Sequence, residues 1–225
     1  MVDVRKKVEE ITPEITQMRV HIHENPELSM KEYNTCALLE DYVKKNVKYD
    51  RLKRVGETGL FFELKGTKPG NGPTIVFRGD IDALPIQEDE HMSPRSKVPG
   101  VMHACGHDVH GTINVGAAKI LSEMKDQFSG SIYFFIQPAE EILQGAKLFL
   151  NDPEIDFDKI DAVAALHVSA ELDAGTIGVR YGAILASADG IRIRINGKGG
   201  HGAHCHTLRD PIVASAAVIN ALQTL

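Results

Sequence analysis

Cysteine is scarce in this 225-residue chain: Cys36, Cys105 and Cys205 are odd in number and far apart, which argues against a disulfide framework. No apolar run is long enough to cross a bilayer. The N-terminal stretch Met1-Val2-Asp3-Val4-Arg5-Lys6-Lys7 lacks the apolar core of a secretory signal. A reducing, cytoplasmic location is therefore expected. Basic residues are outnumbered, Lys+Arg 25 against Asp+Glu 31 for a net charge of -6, and no basic stripe or arginine-rich segment stands out. Nucleic-acid and membrane partners are not expected. The one dense lysine group, Lys44, Lys45 and Lys48, reads as the solvated end of a helix. Repeats and low-complexity tracts are also missing.

What is present is enough chain for a large core, in one domain or one and a half. Apolar residues at Val4, Val8, Ile11, Ile15 and Met18 recur at helical spacing, interrupted only by Pro13 and ended by Asn25-Pro26-Glu27. A second helix is predicted over Lys31–Lys45, with Tyr33, Ala37, Leu38 and Tyr42 inward. Short apolar segments at Leu60–Leu64, Thr74–Phe77, Ser131–Ile136 and Ala162–Leu166 read as strands, with a helix over Gly111–Met124 between the second and third. Strands alternating with helices predict an α/β domain with a mostly parallel, buried sheet. Ligands in such folds gather beyond the carboxyl ends of the strands. Asp80 and Asp82, Glu140 and Glu141, and His167 all fall there. After Tyr181 the texture changes. Asp189–Asn196 alternates Ile191, Ile193 and Ile195 with polar residues as a half-exposed strand would. A glycine- and histidine-rich loop, Gly197–His206, follows, and Pro211 opens a last helix. A boundary is expected near Ser187, dividing a catalytic domain over 1–186 from a second unit over 187–225.

Cys105-Gly106-His107 is the sharpest local signal. A thiolate and a neutral imidazole are good ligands for Zn²⁺ and similar ions, and the intervening glycine lets both aim at one point. The alternative is a buried cysteine beside a surface histidine. Glu140-Glu141 carries different information: adjacent side chains diverge, so one acid could bind metal while the other acts as general base. The alternative is the acidic start of a helix over Glu141–Leu150, stabilising its dipole. Asp80 and Asp82 could be ligands, or could orient Cys105 and His107 from behind.

Taken together, these stretches resemble the M20 metallopeptidase superfamily, in its amidohydrolase branch of hippurate hydrolases, auxin-amino-acid conjugate hydrolases and N-acyl-amino-acid deacylases. The resemblance lies in Arg19–Leu28 (RVHIHENPEL), Arg78–Pro85 (RGDIDALP), Met102–His110 (MHACGHDVH), Gln137–Glu141 (QPAEE), Leu166-His167 and Gly197–Pro211 (GKGGHGAHCHTLRDP). It implies a three-layer α/β/α catalytic domain followed by the start of a smaller α+β lid, or dimerisation, domain. It also implies two divalent ions per subunit, Zn or Mn with Co or Ni possible. Cys105 would bridge them, His107 and His167 would complete one, and Glu141 would bind the other. Glu140 would be the general base, Asp80 matches a retained aspartate of the catalytic centre, and Arg78 stands where most branches ligate with histidine. His201 matches a lid histidine that, in dimeric relatives, holds the oxyanion in the partner's site.

Cys205 replaces a usual proline. Relatives are longer and supply a last histidine to the Glu141-side ion, so that second site is expected to be weak in a chain ending at Leu225. The implied activity is hydrolysis of an N-acyl amino acid, a small molecule, by a homodimer. The alternatives are a catalytically silent metal-binding relative, an M20 dipeptidase or aminopeptidase, or a purely structural zinc site.

Overall fold

The computed structural model describes residues 2–187 and 190–224. They fall into two compact units, 1–171 and 172–225, a division that comes before the boundary near Ser187 suggested by the change of texture. The first unit is built on one five-stranded sheet: β1 (Arg51–Val55), β2 (Gly59–Lys65), β3 (Thr74–Asp80), β4 (Ser131–Gln137) and β5 (Ala162–Ala165). Their spatial order is β1-β2-β4-β3-β5. Strands β3, β4 and β5 run parallel, while β2 pairs antiparallel with β4 and β1 antiparallel with β2. The sheet is thus mixed rather than mostly parallel. The departure comes from β2, which runs against the other four strands; β1, whose Arg51, Lys53 and Arg54 hide it from a search for apolar runs, extends the sheet beyond it.

Strands β2 and β4 read as continuous apolar runs because both of their faces are covered. Leu60, Phe62 and Leu64 of β2, with Ile132, Phe134 and Ile136 of β4, point to one layer. That layer holds α1 (Val4–Glu24), α2 (Tyr33–Asn46) and α3 (His107–Ser122), which bring Met18, Ile22, Leu39, Val43, Val115 and Ala118 to the same core. Phe62 and Phe134 are register partners and stack with centroids 4.7 Å apart; burying each ring is worth about 1.5–3 kcal/mol. The alternate residues Phe61, Tyr133 and Phe135 face a thinner second layer with Phe149 of α4 (Gly145–Leu150) and Ile155.

Helix α1 starts where the Asp3 side chain accepts from Lys6 N, continues through Pro13 and stops at Asn25. The buried stripe of α2 is Cys36, Leu39, Tyr42 and Val43; Tyr33, expected inward, is half exposed and hydrogen-bonds Glu57 instead. Helix α3 begins before the predicted Gly111, at His107. Strand β5, expected to be buried, is an exposed edge in which Val163 is 65 % accessible.

In the second unit α5 (Pro211–Leu222) is capped by the Asp210 side chain on Ile212 N. The strand expected over Asp189–Asn196 is not formed among the described residues; Ile191 and Ile193 are exposed, and Asp189 lies outside the described residues. An alternating pattern supplies one apolar face, but a strand also needs a neighbour to take its backbone hydrogen bonds, and the described residues of this unit offer it none. No helix of the described residues is long and apolar enough to cross a membrane.

Candidate metal and active site

The three parallel strands end on the same side of the sheet, and each delivers chemistry there. Strand β3 ends at Asp80, with Asp82 two residues on; β4 leads into Glu140 and Glu141; β5 leads into His167. Glu140 and Glu141 lie in a turn, and α4 starts only at Gly145. They are therefore not the acidic first turn of a helix. Cys105 and His107 flank Gly106, which sits at φ 85° as the cap of α3. A Cβ there would lie 2.3 Å from Val168 Cγ2, so the position needs glycine for both its left-handed backbone and its closeness to the β5 end.

Hydrogen bonds fix which nitrogen of each histidine is available. His107 Nδ1 donates to Asp82 Oδ1 (3.1 Å), leaving Nε2 3.7 Å from Glu141 Oε1, 3.7 Å from Asp80 Oδ1 and 3.9 Å from Glu140 Oε2. His167 Nδ1 donates to Val168 O, leaving Nε2 facing Cys105 Sγ at 3.3 Å. His110 Nε2 accepts from Val168 N (3.0 Å), so its proton lies on Nδ1, which donates to Asp80 Oδ1 at 2.6 Å. Asp80 Oδ2 is paired with Arg78 Nη1 at 2.6 Å, and Arg78 Nε donates to Gln137. Asp82 Oδ2 accepts from Ser29 Oγ and from Glu141 N.

Donor atoms of three overlapping sets lie within 4.8 Å of one another: Cys105, His107 and His167; His107, Glu140 and Glu141; and Asp80, His107 and His110. In the last, Asp80 and His110 already satisfy each other. The other two share His107 and fit a divalent cation. Buried His107 Nε2 and Glu141 Oε1 have no hydrogen-bond partner although they face each other, and an ion accepting both lone pairs would remove that cost.

The electrostatics agree. Burial pushes the Cys105 thiol up to about 12, with Glu141, Glu140 and Asp80 adding to it. Burial likewise raises Glu141, helped by Glu140 and Asp82. Both are groups whose ionised forms need a positive charge nearby. Burial alone would lower the His107 imidazole, but its bond to Asp82 and the charge of Asp80 outweigh this and raise it. Asp80 and Asp82 are themselves held below the usual carboxylate range in spite of burial, by His110 and Arg78 in one case and by His107 and Ser29 in the other.

Residues 76–224 match the profile of peptidase family M20/M25/M40. The chain belongs to that family of hydrolases. This M20 chain is 40% identical over 222 residues to thermostable carboxypeptidase 2 of Saccharolobus solfataricus, covering 97% of this chain and 55% of that protein. It is 38% identical over 221 residues to the N-acyl-L-amino acid amidohydrolase of Geobacillus stearothermophilus, covering 98% and 59%. Among solved structures it is similar to Bacillus subtilis YXEP, a dinuclear metal-binding peptidase of the M20 family, with TM-score 0.70 and 36% identity over 76% of this chain and 47% of that one. The M20 chain spans about half the length of the curated relatives it matches.

Six of the seven site residues expected from the M20 motifs come together: Asp80, Cys105, His107, Glu140, Glu141 and His167. The seventh, His201, lies in the second unit, exposed, its Nδ1 accepting from Ala203 N at 3.2 Å. The bond of Asp82 to His107 matches the orienting role that the sequence left open for it beside that of ligand. Missed from sequence was the bond of His110 to Val168, which nothing in residue type or spacing signals.

A second buried polar group supports α3 from behind. His23 of α1 faces Asp108 Oδ2 through Nδ1 and Glu88 Oε1 through Nε2, each at 2.9 Å. Two carboxylates on two ring nitrogens require the imidazolium. The Asp108 bond, with Glu88, raises His23 above its ordinary 6.5 against burial and the Arg19 charge; Arg19 Nε is 2.7 Å from the same Asp108 oxygen, and the His103 ring lies 6.4 Å away. A raised folded pKa means the stabilisation is complete below pH about 6.5 and fades as pH climbs through the folded value. His23→Leu is expected to cost about 3–5 kcal/mol, as for a broken buried ion pair, at pH 6 and less at pH 9. Urea unfolding at both pH values checks this, and an equal cost at both would contradict the imidazolium.

Proposed function

We propose that this M20 chain carries the metal-dependent centre of an amidohydrolase that cleaves N-acyl amino acids. The observation that carries the proposal is the convergence of Cys105 Sγ, His167 Nε2, His107 Nε2 and Glu141 Oε1, with the protonated nitrogen of each imidazole turned away onto Asp82 or Val168 O. Cys105, His107 and His167 would hold one divalent ion and Glu141 a second, with Cys105 shared. Zn²⁺, Mn²⁺, Co²⁺ and Ni²⁺ all suit this mixture of donors. When bound, such ions supply Lewis acidity, acidifying water and polarising an amide carbonyl.

The two adjacent acids are distinguished by their surroundings. The Glu141 side chain is 18% exposed and its Oε1 is buried, whereas Glu140 is 34% exposed. Glu141 suits a fixed ligand. Glu140, with room to move and access to solvent, suits taking a proton from water and returning it to the leaving amine. Asp80, locked between Arg78 and His110, holds its charge beside His107. His201 would steady the oxyanion, contributed by the lid of a second subunit in a homodimer.

The substrate class follows from what the relatives' names have in common. A carboxypeptidase and an N-acyl-amino-acid amidohydrolase both break an amide whose amine half is an amino acid with a free carboxylate. The test is elemental analysis of the purified protein together with release of free amino acid from N-acetyl and N-benzoyl amino acids, N-blocked dipeptides and free dipeptides. Turnover of the N-acyl amino acids is expected. Turnover confined to free dipeptides would move the chain to the dipeptidases, and one bound ion without turnover would make it a silent metal binder.

A further inference from the structure

Outside the donor sets, Glu32 is fully buried at 0% exposure, and the local helix does not use it. It occupies the N-cap position of α2, yet its side chain makes no capping bond. That task falls to Glu27, whose carboxylate accepts from Asn34 N and Thr35 N. The Glu32 carboxyl turns the other way. Its Oε1 accepts from Met30 N at 3.0 Å and, across a sequence separation of 107 residues, from Ala139 N at 2.8 Å.

Ala139 is the residue before the acid pair and is itself strained. It is fully buried and sits at φ 50°, a left-handed conformation that costs a residue with a Cβ about 1–2 kcal/mol. Such a conformation persists only where the surroundings enforce it. On the far side of Glu140 the next amide, Glu141 N, is also taken by a carboxylate, Asp82 Oδ2 at 3.1 Å. Glu140 is therefore presented from a peptide segment pinned at both flanking N–H groups. One pin belongs to the His107 partner Asp82, and the other is Glu32. Burial pushes the Glu32 carboxyl above its ordinary value, in keeping with a group used for its acceptor oxygen and reach rather than its charge.

From this geometry we infer that Glu32 is a positioning residue for the acid pair: by holding Ala139 N–H it enforces the left-handed turn that aims Glu140 and Glu141 into the site. The inference rests on the reading of Glu140 as base and Glu141 as ligand. A misplacement of about 1 Å at such a group is enough to cost about a hundredfold in rate.

Two substitutions separate reach from charge. Glu32→Gln keeps the length and one acceptor oxygen but cannot ionise; Glu32→Asp keeps the carboxylate but is one methylene short of Ala139 N. In Co²⁺-loaded protein, Glu32→Gln is expected to retain the wild-type visible spectrum and a kcat on an N-acetyl amino acid within about threefold. Glu32→Asp is expected to shift the Co²⁺ bands and lower kcat about ten- to a hundredfold, with KM little changed. The reverse order, or a folded Glu32→Asp protein with wild-type spectrum and kcat, overturns the inference. Should Glu32→Asp not fold, amide exchange of Ala139 in the unmodified protein decides: strong protection supports the bond and rapid exchange overturns it. Glu140→Gln run alongside keeps the two ideas apart. If it retains full turnover, the base assignment is overturned, and a Co²⁺ spectrum altered in Glu32→Asp but not in Glu32→Gln still supports the positioning.

Discussion

Glu140→Gln is expected to bind metal as the parent does and to lose about 10²–10⁴ of kcat, the usual worth of a positioned general base. The amide is the same size as the carboxylate and keeps an oxygen near His107 Nε2, where Glu140 Oε2 now lies 3.9 Å away. What it cannot do is accept a proton from water. The partly exposed setting of Glu140 gives the amide room to hydrate, so folding should be unaffected. Metal content by elemental analysis and single-substrate kinetics on an N-acetyl amino acid check both halves. Full turnover in a metal-replete sample would remove Glu140 from its role; turnover lost together with the ions would make it a ligand instead.

His107→Ala is expected to be the more severe change, because among the described residues His107 is the one common to all the donor sets. Its loss removes a proposed ligand, leaves Asp82 Oδ1 buried without the imidazole, and brings Asp80, Glu140 and Glu141 together with less positive charge among them. Breaking a buried charged pair costs about 3–5 kcal/mol, so the apo protein should unfold at lower denaturant as well as fail to take up an ion. Equilibrium dialysis against Zn²⁺ and urea unfolding of the metal-free protein read the two effects separately. Wild-type Zn²⁺ uptake would dismiss His107 as a ligand. Metal-free stability equal to wild type would dismiss its bond to Asp82 as a structural element.

The donor groups that converge were legible because their signal is local. Cys105-Gly106-His107 and Glu140-Glu141 declare their residue types in a few positions, and the apolar runs before Asp80, Glu140 and His167 placed them at strand ends, where they lie in the fold. The supporting bonds were illegible because they join distant residues. Nothing near Glu32 points to Ala139, and nothing near His110 points to Val168. Periodicity found α2 and brought Tyr42 and the partly buried Leu38 inward, as they are, but it also chose Tyr33 and Ala37, which are exposed, over Cys36 and Leu39, and only packing against α3 and β2 decides between them. Strand β1 escaped because its charged residues pair along the sheet with Glu63 and Glu154 rather than marking a loop. The isoleucines at 191 and 193 have strand periodicity without a strand neighbour.

Gly106 bears on how such a centre could diverge. With Val168 pressed against it and its torsion in a region closed to larger residues, the offset between thiol and imidazole is dictated by main-chain shape. A change of side chain at 105 or 107 would leave that interval standing, whatever it did to the donors, whereas lengthening or substituting the link would displace the neighbouring β5 exit as well.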